Sequence, residues 1–435
     1  MYVGRNFYKS VKVSLWKAIM VIKRDIYLEK LKEMIDIPLI KIISGLRRSG
    51  KSFLLFNLFK EYLINELKVD QNHIIEINLE NQENHSYCDP NNFLEFIKSK
   101  IKDRKKYFLL IDEVQLLKDF VPVLNQLNNN QQLNVFVTGS NSKFLINDVV
   151  TEFRGRSISL HVFPLSFYEI ASHKEFKNLD ELWKSYLIYG GLPLIQNMKE
   201  ANIKTNYLVN EFKRTYLIDI VEKNKIEDID NLDDIINILA SNIGSYTNPY
   251  KLSLTFKSIK KTNISDATIR KYIENLKNAF IINEVKKYDI KGKKYINASY
   301  KYYFEDIGLR NAKINFAQNE ENHLMENIIY NELLLRGYNV NVGIVEIRPN
   351  ANQKVQLEVD FIAQKGNQKV YIQSCLNMYD QNKEIQEKRP FKNINDNFKK
   401  IIITKDDPIF DTDTNGYKIY GIKQFLLDLD ILNKN

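Results

Sequence analysis

Apolar and polar residues change their spacing along the chain in a regular way. Pro38-Leu39-Ile40-Lys41-Ile42-Ile43-Ser44 is a short apolar run of the kind a strand buried in a parallel sheet shows. From Lys51 onward Leu54, Leu55, Leu58, Tyr62 and Leu63 recur at near-helical spacing through Glu66, with no Pro or Gly to interrupt them. Residues 73–80 alternate like a strand, and a helix is expected around Phe93 to Ile101. Tyr107 to Ile111 is a second wholly apolar run, closed by Asp112-Glu113. Leu133 to Thr138 and Ser157 to Val162 add two more strands, an alternation that builds a parallel sheet covered by helices.

Beyond residue 165 the strands stop for a while. Leu182, Tyr186 and Leu187, then Tyr207, Leu208, Phe212, Tyr216, Leu217 and Ile220 predict helices to about residue 230, a lid over the first unit. Helices follow at Asp233 to Ile243 and Leu252 to Lys261, and a third is N-capped by Ser265 with Ile269, Tyr272, Ile273 and Leu276 on one face. Phe280 to Val285 and Tyr295 to Tyr303, joined through Gly292, read as a hairpin, which completes a winged-helix order. A helix at Leu324 to Leu334 and strands at Tyr338 to Val345, Leu357 to Ile362 and Lys369 to Ser374 make a last α/β unit.

Charge sharpens one part of this. The chain carries +9, and residues 251–303 alone hold thirteen Lys and Arg against four acids, which is also +9. Arg5, Lys9, Lys12 and Lys17 give the first twenty residues +4, so the remainder is net acidic. This makes 251–303 a candidate DNA contact, with Lys271, Lys293 and Lys294 facing phosphates. Protein docking is the alternative use of a winged helix. No apolar run reaches membrane-spanning length, and Ser14 to Ile22 is broken by Lys17 without a cleavage site after it, so a cytoplasmic protein without membrane partners is expected. Met20 is an alternative start. Cys88 and Cys375, with no C-x-x-C, indicate neither a disulfide framework nor a zinc site.

The chemistry is concentrated in two motifs. Gly45-Leu46-Arg47-Arg48-Ser49-Gly50-Lys51-Ser52 fits G-x-x-x-x-G-K-[ST] between a strand and a helix, the place where backbone N–H groups and the helix dipole hold nucleotide phosphates. Gly45, Arg48, Ser49, Gly50, Lys51, Ser52 and Phe53 are therefore expected to bind ATP, with Ser52 on Mg²⁺. Asp112 and Glu113 stand at the C-terminal end of their strand, where sheets of this kind bind ligands. Asp112 is assigned to Mg²⁺ and Glu113 to the attacking water. A plain helix cap is the other reading of that pair. Arg24, before a predicted helix at Ile26 to Ile35, is either a surface charge or a neighbour of the nucleotide base.

Taken with LLIDEVQ, VTGSNS, FRGR, PLSFYE and Tyr189-Gly190-Gly191-Leu192-Pro193, the loop resembles the prokaryotic AAA-type ATPases that carry a C-terminal domain of unknown function. The resemblance runs from about residue 21 to the end. It implies an α/β P-loop NTPase core with helices on both faces of a parallel sheet. It also makes Ser140 a sensor in the nucleotide site and Arg156 an arginine finger, acting in cis or across a self-associated pair of subunits. Catalysis is thus expected from Glu113, Lys51 and Arg156. Asp219 matches a recurring aspartate of that family.

The last unit resembles a restriction-endonuclease-like fold. Glu326 and Asp360 occupy two of its metal positions, but Gln373 and Cys375 stand where Glu and Lys are expected, so catalytic inactivity is expected there. The expected layout is a basic leader at 1–20, an ATPase core at 21–165, a helical lid at 166–230, a winged helix at 231–303 and a nuclease-like domain at 304–435. A Mg²⁺-dependent ATPase coupled to the later modules is the leading reading. A nucleotide-gated DNA-binding switch with little turnover and a metal-dependent nuclease are its competitors.

Overall fold

The structure, a computed structural model, describes residues 22–139, 153, 155–173, 178–260, 264–318, 320–350, 353–378, 381–408 and 411–434. Met20, Ser140 and Arg154 lie outside them. Strands β1 (Ile40–Ser44), β2 (Ile74–Asn78), β3 (Tyr107–Asp112), β4 (Leu133–Gly139) and β5 (Ser157–His161) form a parallel sheet in the order β2-β3-β4-β1-β5. Every residue of β1, β3 and β4 is buried, which explains runs that are apolar on both faces. Lys41 is a charged exception within β1, and its ammonium is bonded to Asn134 Oδ1 and, at 2.7 Å, to the Ile37 carbonyl.

Alternation along the strands sorts side chains to the two faces. Ile43, Leu110 and Phe136 meet Tyr27, Leu31, Leu54, Leu55, Phe59 and Leu63 from Asp25–Met34 and the helical run Lys51–Phe53, Leu54–Phe59 and Lys60–Asn65. Ile42, Leu109, Ile111 and Val135 meet Phe93, Ile97, Val121 and Leu124 from Pro90–Lys100 and Phe120–Asn128. Each fully buried side chain of this size contributes about 1.5–3 kcal/mol. Because β4 lies between β1 and β3, the turns after β1 and β3 flank the end of β4 at one edge of the sheet.

The later strands are β6 (Ile282–Asp289), β7 (Lys294–Phe304), β8 (Asn339–Asn350), β9 (Gln353–Lys365), β10 (Gln368–Cys375), β11 (Lys399–Thr404) and β12 (Lys418–Gly421). They form a mixed sheet in the order β12-β11-β10-β9-β8-β6-β7. β6 and β7 are the expected antiparallel hairpin, preceded by the helices Ile229–Ser241, Pro249–Thr255 and Asp266–Asn278. The Ser265 hydroxyl caps the third, accepting from Thr268 N–H at 3.1 Å. β6 also pairs in parallel with β8, from Lys287 opposite Val342 to Asp289 opposite Ile344, so the sheet runs straight through residue 303. A hairpin edge left open would expose unpaired backbone groups, and β8 satisfies them. One apolar cluster accordingly joins Ile22 and Leu46 to residues from Leu165 to Leu432. No helix among the described residues is long and apolar enough to cross a membrane.

Candidate nucleotide site

The loop after β1 has the backbone its glycines predict. Gly45 has φ +142°, and a Cβ there would stand 2.2 Å from the Val162 carbonyl oxygen, so the loop can only lie against the segment after β5 if residue 45 has no side chain. Gly50, at φ +97°, turns the chain into the helix beginning at Lys51. Lys51 is buried and its Nζ donates to the Gly45 and Leu46 carbonyls at 3.0 and 2.8 Å. Burial lowers its pKa to about 8, with Glu113 and Asp112 pulling the other way. Ser49 Oγ is buried without a hydrogen-bond partner.

Ser52 Oγ donates to Asp112 Oδ1 at 2.9 Å, which joins the two motifs across 60 positions. Two residues missed from sequence hold that carboxylate. Asn78 Nδ2 donates to Asp112 Oδ2 at 3.0 Å from the register position directly opposite on β2. The Thr138 hydroxyl, from β4, donates to Asp112 Oδ1 and accepts from Glu113 N–H at 3.1 Å. The signal was a polar residue at the C-terminal end of a strand, since Asn78 closes β2 and Thr138 is next to last in β4. Burial raises the Asp112 pKa, opposed by the Thr138 and Ser52 hydrogen bonds. Glu113 sits in the left-handed region at φ 54°, a conformation that a non-glycine residue keeps only where its surroundings impose it, and the Gln115 amide donates to its carboxylate.

Arg24 is not a surface charge. It is buried and ion-paired to Glu169 at 2.7 Å, and it donates to the Ser49 carbonyl at 2.8 Å and the Phe163 carbonyl at 2.7 Å. It clamps the loop to the segment after β5. The two loop arginines face elsewhere: Arg47 pairs with Asp219 at 2.5 Å and Glu80 at 3.2 Å, while Arg48 pairs with Glu211 at 2.7 Å. Phe53 is half-buried in the first turn of the helix.

Two consecutive carboxylates following β7 also reach this edge. Glu305 Oε1 accepts from Leu46 N–H at 3.4 Å and lies 3.0 Å from His161 Nε2. Asp306 accepts from Gly191 N–H at 2.8 Å and Leu309 N–H at 2.9 Å, and burial lifts its pKa to about 6 against those bonds. Arg156 is exposed and precedes Ser157, which pairs with Ile40, the first residue of β1. The full length of β1, about 16 Å, therefore separates it from the loop.

Beside Glu326 and Asp360, Lys301 of β7 fills a position unforeseen from sequence. Its buried Nζ lies 2.8 Å from Glu326 Oε1 and 2.6 Å from Glu358 Oε1, and the Tyr303 hydroxyl donates to Glu326 at 2.5 Å. Burial works against the Lys301 charge, and Glu326 and Glu358 outweigh it, leaving its pKa above that of an ordinary lysine. Asp360 accepts from Ser374 N–H at 2.7 Å, and burial, then Glu326, holds its carboxyl well above the usual range. Gln373 donates to Glu387 at 3.0 Å, and Cys375 is buried. Among the described residues no group of three or more His, Cys, Asp or Glu is placed to hold a metal.

Residues 38–171 match the family model of an AAA domain, and residues 180–320 match a domain of unknown function. An uncharacterized protein of Haemophilus influenzae is 34% identical over 389 residues, covering 88% of this chain and 93% of its own length. The chain belongs to that protein's family. An uncharacterized protein of Methanocaldococcus jannaschii is 28% identical over 408 residues, 90% of this chain and 86% of its own. Among solved structures, the Aeropyrum pernix ORC1 protein in complex with DNA covers 68% of this chain and 93% of that one, at 12% identity and a TM-score of 0.28. That likeness is too loose to bear on function. The AAA match and the parallel sheet make the first unit of this family an AAA-type P-loop nucleotide-binding domain.

Proposed function

We propose that the chain is a Mg²⁺-dependent ATPase whose nucleotide state is passed to a basic winged helix and a nuclease-like unit that does not cleave. The observation that carries the reading is the Ser52–Asp112 contact at 2.9 Å beside a buried Lys51 bonded to the carbonyls of its own loop. The donor set suits the metal: a hydroxyl and a carboxylate are hard oxygen ligands, and the buried, unpartnered Ser49 hydroxyl leaves polar capacity in the cradle. Ser52 and Asp112 would hold Mg²⁺, which supplies positive charge against the phosphate oxygens when bound.

The chain's own residues do the rest. The loop from Gly45 to Ser52, Arg48 and Ser49 included, binds the phosphates through its backbone N–H groups, with Phe53 in the helical turn that follows. Lys51 exchanges two loop carbonyls for phosphate oxygens. Glu113 orients and polarises the water that attacks the terminal phosphorus, and Thr138 fixes both it and Asp112. Arg156, at the opposite end of β1, acts on the site of a neighbouring copy, so turnover rises with self-association. Ser140 remains the sensor assignment. Lysines of 251–303 bind duplex DNA. Steady-state phosphate release, with and without duplex DNA and across protein concentration, tests this. Turnover in Glu113→Gln equal to wild type would discard the Glu113 assignment, and tight ATP retention without turnover would favour the switch over the ATPase.

A further inference from the structure

A second group of cations lies beside the hairpin turn, contributed by segments far apart in sequence. Lys291, in the turn between β6 and β7, donates to the Glu346 carbonyl at 3.1 Å and so docks the turn on β8. Arg348 follows on β8, and Arg389 lies in the last turn of the helix Gln381–Lys392. The three side chains line one polar cleft of about 490 Å³, together with Glu346 and Asn393. All three cations are exposed. The cleft's acid is already shared, since Glu346 lies 3.8 Å from Arg348 and 3.4 Å from Lys354.

We infer that this cleft is a binding site for the phosphodiester backbone of duplex DNA, extending the hairpin's contact into the nuclease-like unit. The inference rests on the DNA reading proposed above for 251–303. Lys293 in the same turn as Lys291 and Lys294 at the start of β7 are exposed, so a repeating polyanion can run from them into the cleft. A lone phosphate ion would meet only one part of this surface. Two guanidiniums suit phosphate oxygens, to which arginine donates in a planar, paired fashion. Tyr295, 56% exposed beside Lys294, offers an aromatic face at the same end of the hairpin. The residues 304–435 are thereby given a binding role that needs no metal and no cleavage.

The test is fluorescence anisotropy of a labelled duplex with the full chain, repeated over a range of salt. Each phosphate contact contributes about 0.9 to the slope of log affinity against log salt. Arg348→Ala/Arg389→Ala is expected to lower that slope by about two and to weaken binding at least tenfold at low salt, whereas Arg348→Lys/Arg389→Lys keeps the slope. Lys293→Ala/Lys294→Ala is the control for the hairpin. If that control loses affinity while Arg348→Ala/Arg389→Ala matches wild type in affinity and slope, the cleft is overturned and the DNA reading stands. If wild type binds no duplex, both fall. Loss of inorganic phosphate binding in the cleft variant, with duplex binding intact, also overturns it. Circular dichroism and melting at wild-type values establish that these surface variants are folded.

Discussion

Arg47 of the phosphate loop is ion-paired at 2.5 Å to Asp219, a residue 172 positions away on the helix Ile218–Asn224. Tyr216 adds a bond from its hydroxyl to the Arg47 carbonyl at 2.7 Å, and Arg48 pairs with Glu211 on the preceding helix. The loop is thus held from above by one helical segment. The Arg47–Asp219 pair is about a third exposed, so its direct contribution to stability is under about 1 kcal/mol. Asp219→Asn should therefore leave melting nearly unchanged, yet speed dissociation of a fluorescent ATP analogue several-fold in stopped flow. An unaltered dissociation rate would remove this helix from control of the loop.

Lys51 and Glu113 should separate binding from chemistry. Lys51→Ala is expected to abolish ATP binding in calorimetry. Glu113→Gln should bind ATP within a few-fold of wild type and turn over about 10²–10⁴ times more slowly, the range for losing a positioned base.

Thr138 and Asn78 position Asp112 without being assigned to the metal themselves. Thr138→Val removes a donor to Asp112 and the acceptor of Glu113 N–H, and should raise the Mg²⁺ concentration for half-maximal turnover about 10–100-fold. Thr138→Ser should restore it. Loss of kcat with unchanged Mg²⁺ dependence would argue for a purely structural hydroxyl.

Proton linkage gives a further check. Lys51 must be charged to hold phosphate, and burial has brought its pKa down to about 8 in the free protein. Below that pH the ammonium is already present. Above it, binding must take up a proton, so ATP affinity should fall as pH rises through about 8. Calorimetry in buffers of different ionisation enthalpy should show proton uptake near pH 8–9 and almost none at pH 6.5.

Arg24 and Glu169 form a pair with both side chains only 3% exposed. Removing one partner leaves the other as a buried, unpaired charge, so Arg24→Met should cost about 3–5 kcal/mol in denaturant unfolding. Arg24→Met/Glu169→Leu should cost less than Arg24→Met alone. A single-variant loss under about 1 kcal/mol would mean that water reaches the site.

What could be read from the sequence was what neighbouring residues carry together. The loop motif, the Asp112-Glu113 strand and the period of each buried strand are local patterns, and the structure has the strand before Gly45, the helix from Lys51 and the strand ending at Asp112 where they were read. Arg24 had no such signal, because its partner Glu169 lies 145 positions away. The parallel pairing of β6 with β8 is invisible for the same reason. Lys301 shows a different failure. It was counted among the basic residues of 251–303, but it is buried between two carboxylates, so that segment's surface is less positive than its composition.

Glu305 and Asp306 follow the last residue of β7 without a spacer, and they supply the acceptors for Leu46 N–H and Gly191 N–H. The polypeptide therefore cannot be trimmed to a free-standing nucleotide-binding piece at residue 171, 230 or 303. Each such cut would remove the acceptor of Leu46 N–H in the phosphate loop and bare apolar surface shared with residues as far along as Leu432. A nonsense or frameshift lesion ahead of codon 305 should be read accordingly: it also takes a partner from the loop near the beginning.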